Sequence, residues 1–190
     1  MKRIIFMLMI VSFASCDLLT TRNPEQPNTT GNGIIPATSP DILFSNLKSS
    51  LENKILENYL SCLIDTSFLR KKFRFIPSSG STSNYPALNG WSYDSEKQYF
   101  KNLISIAKAG QSINLSMLSV TNTQIGDSAI YQFDYTLSFL ANDQTISGDY
   151  TGSAQFKIYL DSRNQWVIVE WTDLRKENLQ SWSELKGRLY

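Results

Sequence analysis

The sequence predicts an α+β domain, with helices first and sheet second. Between residues 40 and 109, apolar side chains recur three and four positions apart, which is the helical period. From residue 112 onward they recur at every second position in four long runs, which is the period of strands. Helices followed by consecutive strands fold as a helical layer on one face of an antiparallel sheet.

The elements follow in chain order. Ser39 is placed to cap a helix, with Pro40 at its first position and Asp41 complementing its N-terminal dipole. Ile42, Leu43, Leu47 and Leu51 form its apolar stripe. A second helix is predicted over residues 54–65, with Leu56, Tyr59, Leu60 and Leu63 on one side. Residues 68–76 alternate loosely as a short strand, and 77–90 form a loop rich in Ser, Gly and Pro. A third helix over 94–109 carries Tyr99, Phe100, Leu103, Ile106 and Ala107, and Gly110 ends it. Strands then run over 112–123, 129–141, 146–160 and 166–172. The second of these places Tyr131, Phe133, Tyr135, Leu137 and Phe139 on one face. Asp161 to Asn164 make a hairpin turn. The run WVIVEWT is nearly all apolar, so both of its faces are covered, as in a central strand.

Composition narrows the chemistry. The chain has 190 residues, of which 42% are apolar and 18% charged, a globular balance. Its 18 basic and 17 acidic side chains nearly cancel, and removing Lys2 and Arg3 leaves 16 against 17. Nucleic acid binding requires a clustered basic surface, so it is not expected. The one dense basic run, RKKFR at residues 70–74, reads as a solvated edge or as a contact for lipid headgroups or other anions. There is no histidine, which excludes Ser-His-Asp and Cys-His nucleophile pairs and the histidine-based metal sites. No phosphate-binding glycine loop or metal-ligand cluster is present in the sequence, so no cofactor and no metal are expected.

The N-terminus gives an address. Lys2 and Arg3 precede the apolar run IIFMLMIV, which is followed by small residues and Cys16. That is the layout of a secretory signal peptide, and the run is too short to span a bilayer. The stretch SFASC resembles a bacterial lipobox, with Ala14 and Ser15 at the small positions and Phe13 where leucine is usual. The resemblance implies that residues 1–15 are removed, that Cys16 carries diacylglycerol and palmitate-type acyl chains, and that the protein is lipid-anchored in a bacterial cell envelope. It would face the periplasm or the cell surface. Residues 16–39 hold three of the six prolines with Asn, Thr and Gly, and read as a flexible tether. Cys62 then has no partner and is expected in the core.

The segments SPDILFSNLKSSLENKILENYLSCLIDTSF and QWVIVEWTDL resemble the opening helices and the closing strand of the NTF2-like, or SnoaL-like, fold. That resemblance implies a cone over residues 40–190. Two to three N-terminal helices pack on a curved antiparallel sheet of about four long strands, often around an apolar pocket. The Trp-containing tail SWSELKGRLY resembles the docking tail of small lipoproteins of this type.

Members of such a family include isomerases, dehydratases and non-enzymatic binding modules, so fold alone does not choose function. The leading expectation is a non-catalytic domain that binds a small apolar ligand or an envelope protein. Tyr59, Trp91, Tyr131, Tyr135 and Trp166 either line its pocket or fill its core. The enzymatic alternative rests on Glu170. In VIVEWT it shares a face with Trp166 and Ile168, where desolvation would raise its pKa toward that of a general acid or base. A third reading is a structural subunit of an envelope complex, or a homodimer formed through the open sheet face.

Overall fold

A computed structural model describes residues 34–176 and 179–190. The expected signal peptide, Cys16 and the first part of the expected tether lie outside the described residues. The segment Ile34–Tyr190 is one compact unit. Its buried side chains form one continuous core, from Ala37 to Leu189.

Helix α1 (Pro40–Glu52) begins as the sequence requires, with the Ser39 hydroxyl accepting a hydrogen bond from the Ile42 amide at 3.3 Å. Leu43, Phe44, Leu47 and Leu51 are its buried stripe. Helix α2 (Leu56–Ser61) is shorter than predicted, because from Cys62 onward the backbone turns to pair with the sheet. The strand expected over 68–76 contracts to β1 (Arg74–Ile76), and the loop after it contains the short helix α3 (Ser81–Asn84) and a 3₁₀ turn at Pro86–Leu88. Helix α4 (Tyr93–Ile106) is capped by Ser92 and buries Glu96, Tyr99, Phe100 and Leu103. It stops where Ala107 turns extended and bridges to Ala141.

Four long antiparallel strands follow: β2 (Asn114–Ile125), β3 (Ser128–Phe139), β4 (Gly148–Leu160) and β5 (Trp166–Arg175). The sheet order is β1-β5-β4-β3-β2, with β1 parallel to β5. The alternation read from β3 is realised: Phe133, Tyr135, Leu137 and Phe139 are buried and Tyr131 is half-buried. Phe44 of α1 seats on this inner face, 4.7 Å from Phe133, 5.3 Å from Tyr131 and 5.4 Å from Phe156 between ring centroids. Each such fully buried side chain stabilises the fold by roughly 1.5–3 kcal/mol. Helix α5 (Trp182–Leu189) closes the chain and lies against the inner side of β4 and β5.

The free edge of β5 is covered piecewise. The Trp166 amide donates to the Ala37 carbonyl at 2.8 Å, the Ile168 amide to Cys62 at 2.9 Å, and then β1 pairs with residues 170–172. Residues 34–39, expected to belong to the tether, therefore dock on the domain. The Asn46 side chain also donates to the Ile35 carbonyl at 2.6 Å.

Between Lys157 and Ile158 the register with β5 shifts. Lys157 pairs with Glu170 and Ile158 with Ile168, so Val169 is an extra, bulged residue. Trp166 and Ile168 face inward before the bulge, and Trp171 and Asp173 face inward after it. Glu170 is thereby turned to the outer face, beside Lys157.

Helix α5 fits closely enough to be tested at one position. A helical alanine ordinarily gains about 1 kcal/mol over glycine. At Gly187, however, a Cβ would lie 2.3 Å from Cγ and 2.6 Å from Cβ of Tyr85. Those atoms sit next to the backbone and cannot swing aside. Gly187→Ala is expected to lower stability by roughly 1–3 kcal/mol in urea denaturation. A gain in stability would show that α5 can shift off Tyr85.

Candidate functional site

The interior of the cone is occupied by the chain's own C-terminal helix. Trp182 stands edge-on to Trp171, with centroids 4.4 Å apart, and its indole nitrogen donates to the Tyr99 hydroxyl at 2.8 Å. Its backbone amide donates to the Tyr135 hydroxyl at 2.7 Å, and Tyr135 in turn donates to Asp173 Oδ1 at 2.6 Å. Asp173 Oδ2 accepts from the Ser183 amide at 2.8 Å and from its hydroxyl at 2.5 Å. The first two amides of α5, which no residue of the helix itself can satisfy, are thus held by the sheet.

One turn further along, Lys186 meets Glu96 of α4, Nζ to Oε2 at 2.6 Å, and both side chains are fully buried. Glu96 accepts two further bonds, from the Tyr59 hydroxyl to Oε1 at 2.5 Å and from Trp91 Nε1 to Oε2 at 2.7 Å. The ammonium is also faced by rings. Its nitrogen lies 3.8 Å from the Phe75 centroid, 3.9 Å from Trp171 and 5.3 Å from Tyr99. A charge removed from water needs both a counter-ion and further contacts. This one has a carboxylate and four rings, Trp91 being the fourth at 5.6 Å.

Burial nevertheless outweighs the attraction of Glu96 and pushes the Lys186 ammonium down to about 8. Desolvation first, and then the charge of Glu96, raise the Tyr59 and Tyr99 hydroxyls well above their ordinary range. The cluster is closed to solvent, and both oxygens of Glu96 are bonded within the protein.

The residues singled out from sequence do not converge on one pocket. Tyr59 and Trp91 serve Glu96, and Tyr135 serves Asp173. Tyr131 stacks on Phe133, and Trp166 is buried at the start of β5. Glu170 departs from expectation in both orientation and titration. The bulge at Val169 removes it from the face of Trp166 and Ile168. Lys157 reaches its Oε1 at 2.6 Å and Arg74 binds its Oε2. Partial desolvation pushes its carboxyl up, but the bonds from Lys157 and Arg74 outweigh that and hold it below the usual range. Cys62 is buried as expected, and burial pushes its thiol up to about 12.

Glu96, Lys186 and Asp173 were not among the candidates. Two of them had a readable signal. Glu96, Tyr99, Phe100 and Leu103 form one helical stripe, and so do Trp182, Leu185, Lys186 and Leu189. A single charge on each of two apolar stripes, of opposite sign, points to a buried pair.

The open space lies outside the cone. A groove of about 760 Å³ runs beside β1 and includes Trp91 and Glu170 in its lining, together with Lys71, Lys72, Arg74 and Lys157. A hollow of about 380 Å³ lies between residues 34–37 and α2. Among the described residues, no group of three or more His, Cys, Asp or Glu side chains is arranged to hold a metal ion, and no helix is long and apolar enough to cross a membrane.

The sequence matches no protein-family profile, and comparison with curated proteins finds no match. Solved structures do match. An NTF2-like family protein from Streptomyces avermitilis, for which dehydratase activity has been suggested, superposes with a TM-score of 0.53 at 8% identity, covering 72% of this chain and 92% of that one. A protein from Novosphingobium aromaticivorans suggested to be an aromatic ring hydroxylase gives 0.52 at 10% identity, over 77% and 92%. One from Thiobacillus denitrificans, suggested to be a calcium/calmodulin-dependent protein kinase type II association domain, gives 0.51 at 11% identity, over 76% and 99%. The fold is therefore NTF2-like, with helices packed on a curved, open sheet. At these identities the likeness extends to the fold alone.

The buried lysine makes stability depend on pH in a defined direction. From pH 8 to 9 the native Lys186 releases its proton while the unfolded lysine retains its own. The unfolded state then binds more protons at this site, so Lys186 by itself raises stability with pH, by about 1 kcal/mol across that unit. Cys62 opposes this rise within the same interval, because an unfolded thiol titrates near pH 9 while the buried one keeps its proton, and the buried tyrosines add to the opposition above pH 9. Urea denaturation at pH 8 and pH 9 should show stability changing more favourably with pH in the wild type than in Lys186→Met. An equal change in the two proteins would contradict the assignment.

Proposed function

We propose that this protein is a lipid-anchored component of a bacterial cell envelope whose NTF2-like domain binds a partner without catalysis. One observation carries the non-catalytic part. The interior that could hold a ligand in a hollow cone is filled here by Trp182 and Lys186, and every oxygen of Glu96 and Asp173 is bonded within the protein. The enzymatic alternative needed Glu170 as an apolar-pocket base. Its two cationic partners argue against that. Binding then falls to the surface, where the open grooves are. The anchor is supported by the order of charges, apolar run, small residues and Cys16 at the N-terminus. Two or more acyl chains would hold such a protein at a membrane without a spanning helix.

The anchor is tested in a bacterial host by metabolic labelling with a palmitate analogue. The wild-type chain should take up label and Cys16→Ser should not. Label retained in Cys16→Ser would overturn the reading.

A further inference from the structure

The loop between α2 and β1 carries most of the basic run RKKFR, and it forms one wall of the 760 Å³ groove. Four basic side chains line that groove, Lys71, Lys72, Arg74 and Lys157, against the single carboxylate of Glu170. Arg74 and Lys157 share that carboxylate and remain 64% and 41% exposed at their side chains. Lys71 lies over the Tyr159 ring, 4.6 Å from its centroid, and Lys72 has no ion pair among the described residues. The acidic residues Asp65 and Asp94 belong to the adjoining hollow, which meets the groove at Lys72, Phe73 and Ser92. The groove itself is therefore a concentrated positive site on a chain that is otherwise nearly neutral. The same loop presents the half-exposed ring of Phe68, on which the Arg163 guanidinium stacks at 3.8 Å. An aromatic ring among cations is the composition of a surface that sits at a membrane interface.

The place where the chain enters the domain points to the same occupant. Ala37 is hydrogen-bonded to Trp166, at the start of the strand edge that β1 continues. Glu170 lies four residues along that strand, about 13 Å away. About twenty residues separate Ala37 from Cys16, and such a length of chain extends to about 70 Å. A lipid on Cys16 would thus hold a bilayer surface within reach of the groove.

We infer that this basic groove docks on the anionic phospholipid headgroups of the membrane that carries the anchor. The inference rests on the anchored reading above and adds the surface by which the domain engages the bilayer. Each lysine withdrawn from such a contact weakens it by about fivefold.

The test uses the compact unit from Ile34 to Tyr190, which has its own core and lacks Cys16. It is sedimented with phosphatidylcholine vesicles, with and without phosphatidylglycerol, at low and high salt. Binding to the anionic vesicles should exceed binding to the neutral ones by at least about tenfold and weaken in salt. The double variant Lys71→Glu/Lys72→Glu should lose it. Lys97→Glu/Lys101→Glu, on the exposed side of α4, should retain it. Equal binding to both vesicle types, no binding, or binding indifferent to the groove variant would overturn the inference. Palmitate labelling is read independently. Label on Cys16 without vesicle binding would reject the groove and keep the anchor, and the reverse result would reject the anchor and keep the groove.

Discussion

Lys186 and Glu96 are both fully buried and paired at 2.6 Å, so each is the other's counter-ion in a place water does not reach. Removing one partner of such a pair costs about 3–5 kcal/mol, against a total stability of about 5–15 kcal/mol for a domain. The position of α5 is therefore bound to the integrity of the core. The pair draws in Tyr59 from α2, Trp91 from the segment before α4, and the rings of β1 and β5 around the ammonium. With Asp173 gripping the first turn of α5, it converts the C-terminal segment from an appendage into the innermost layer of the fold.

That constraint governs where function can reside. The interior of the cone is filled by the chain's own side chains, and the open grooves lie on its surface. The bulge at Val169 contributes at the same time. It turns Trp171 and Asp173 inward to receive α5, and turns Glu170 outward between Arg74 and Lys157. One extra residue thus completes the interior and builds the floor of the basic groove. The bulge shapes both the interior and the lining of the basic groove.

Much of the architecture was legible in the sequence because it is local. Ser39 and Pro40 mark the start of α1, and Tyr131 to Phe139 alternate without interruption, so period and capping were sufficient. The hairpin turn was legible too: Asp161 accepts from the amides of Arg163 and Gln165, and Asn164 takes a positive φ of 59°. What escaped was tertiary. Alternation through VIVEWT carries no mark of a bulge, so Glu170 was read onto the wrong face. The parallel pairing of β1 joins residues 96 positions apart, Arg74 with Glu170, which no local period reports. The docking of residues 34–39 depends on an edge of β5 that only the folded sheet presents. Of the candidate aromatics, Tyr59 and Trp91 meet at Glu96 and Tyr135 binds Asp173, a convergence that depends on the tail being folded in.

The central claim is that α5 is a permanent part of the interior rather than a lid, and native-state hydrogen exchange tests it most directly. The amides of Trp182 and Ser183 are bonded to Tyr135 and Asp173, so each reports whether α5 is seated. Both should exchange only as fast as the most protected amides of β4 and β5, through global unfolding. Exchange of Trp182 and Ser183 that is faster by orders of magnitude, while the sheet stays protected, would show a detachable helix and an interior open to ligands.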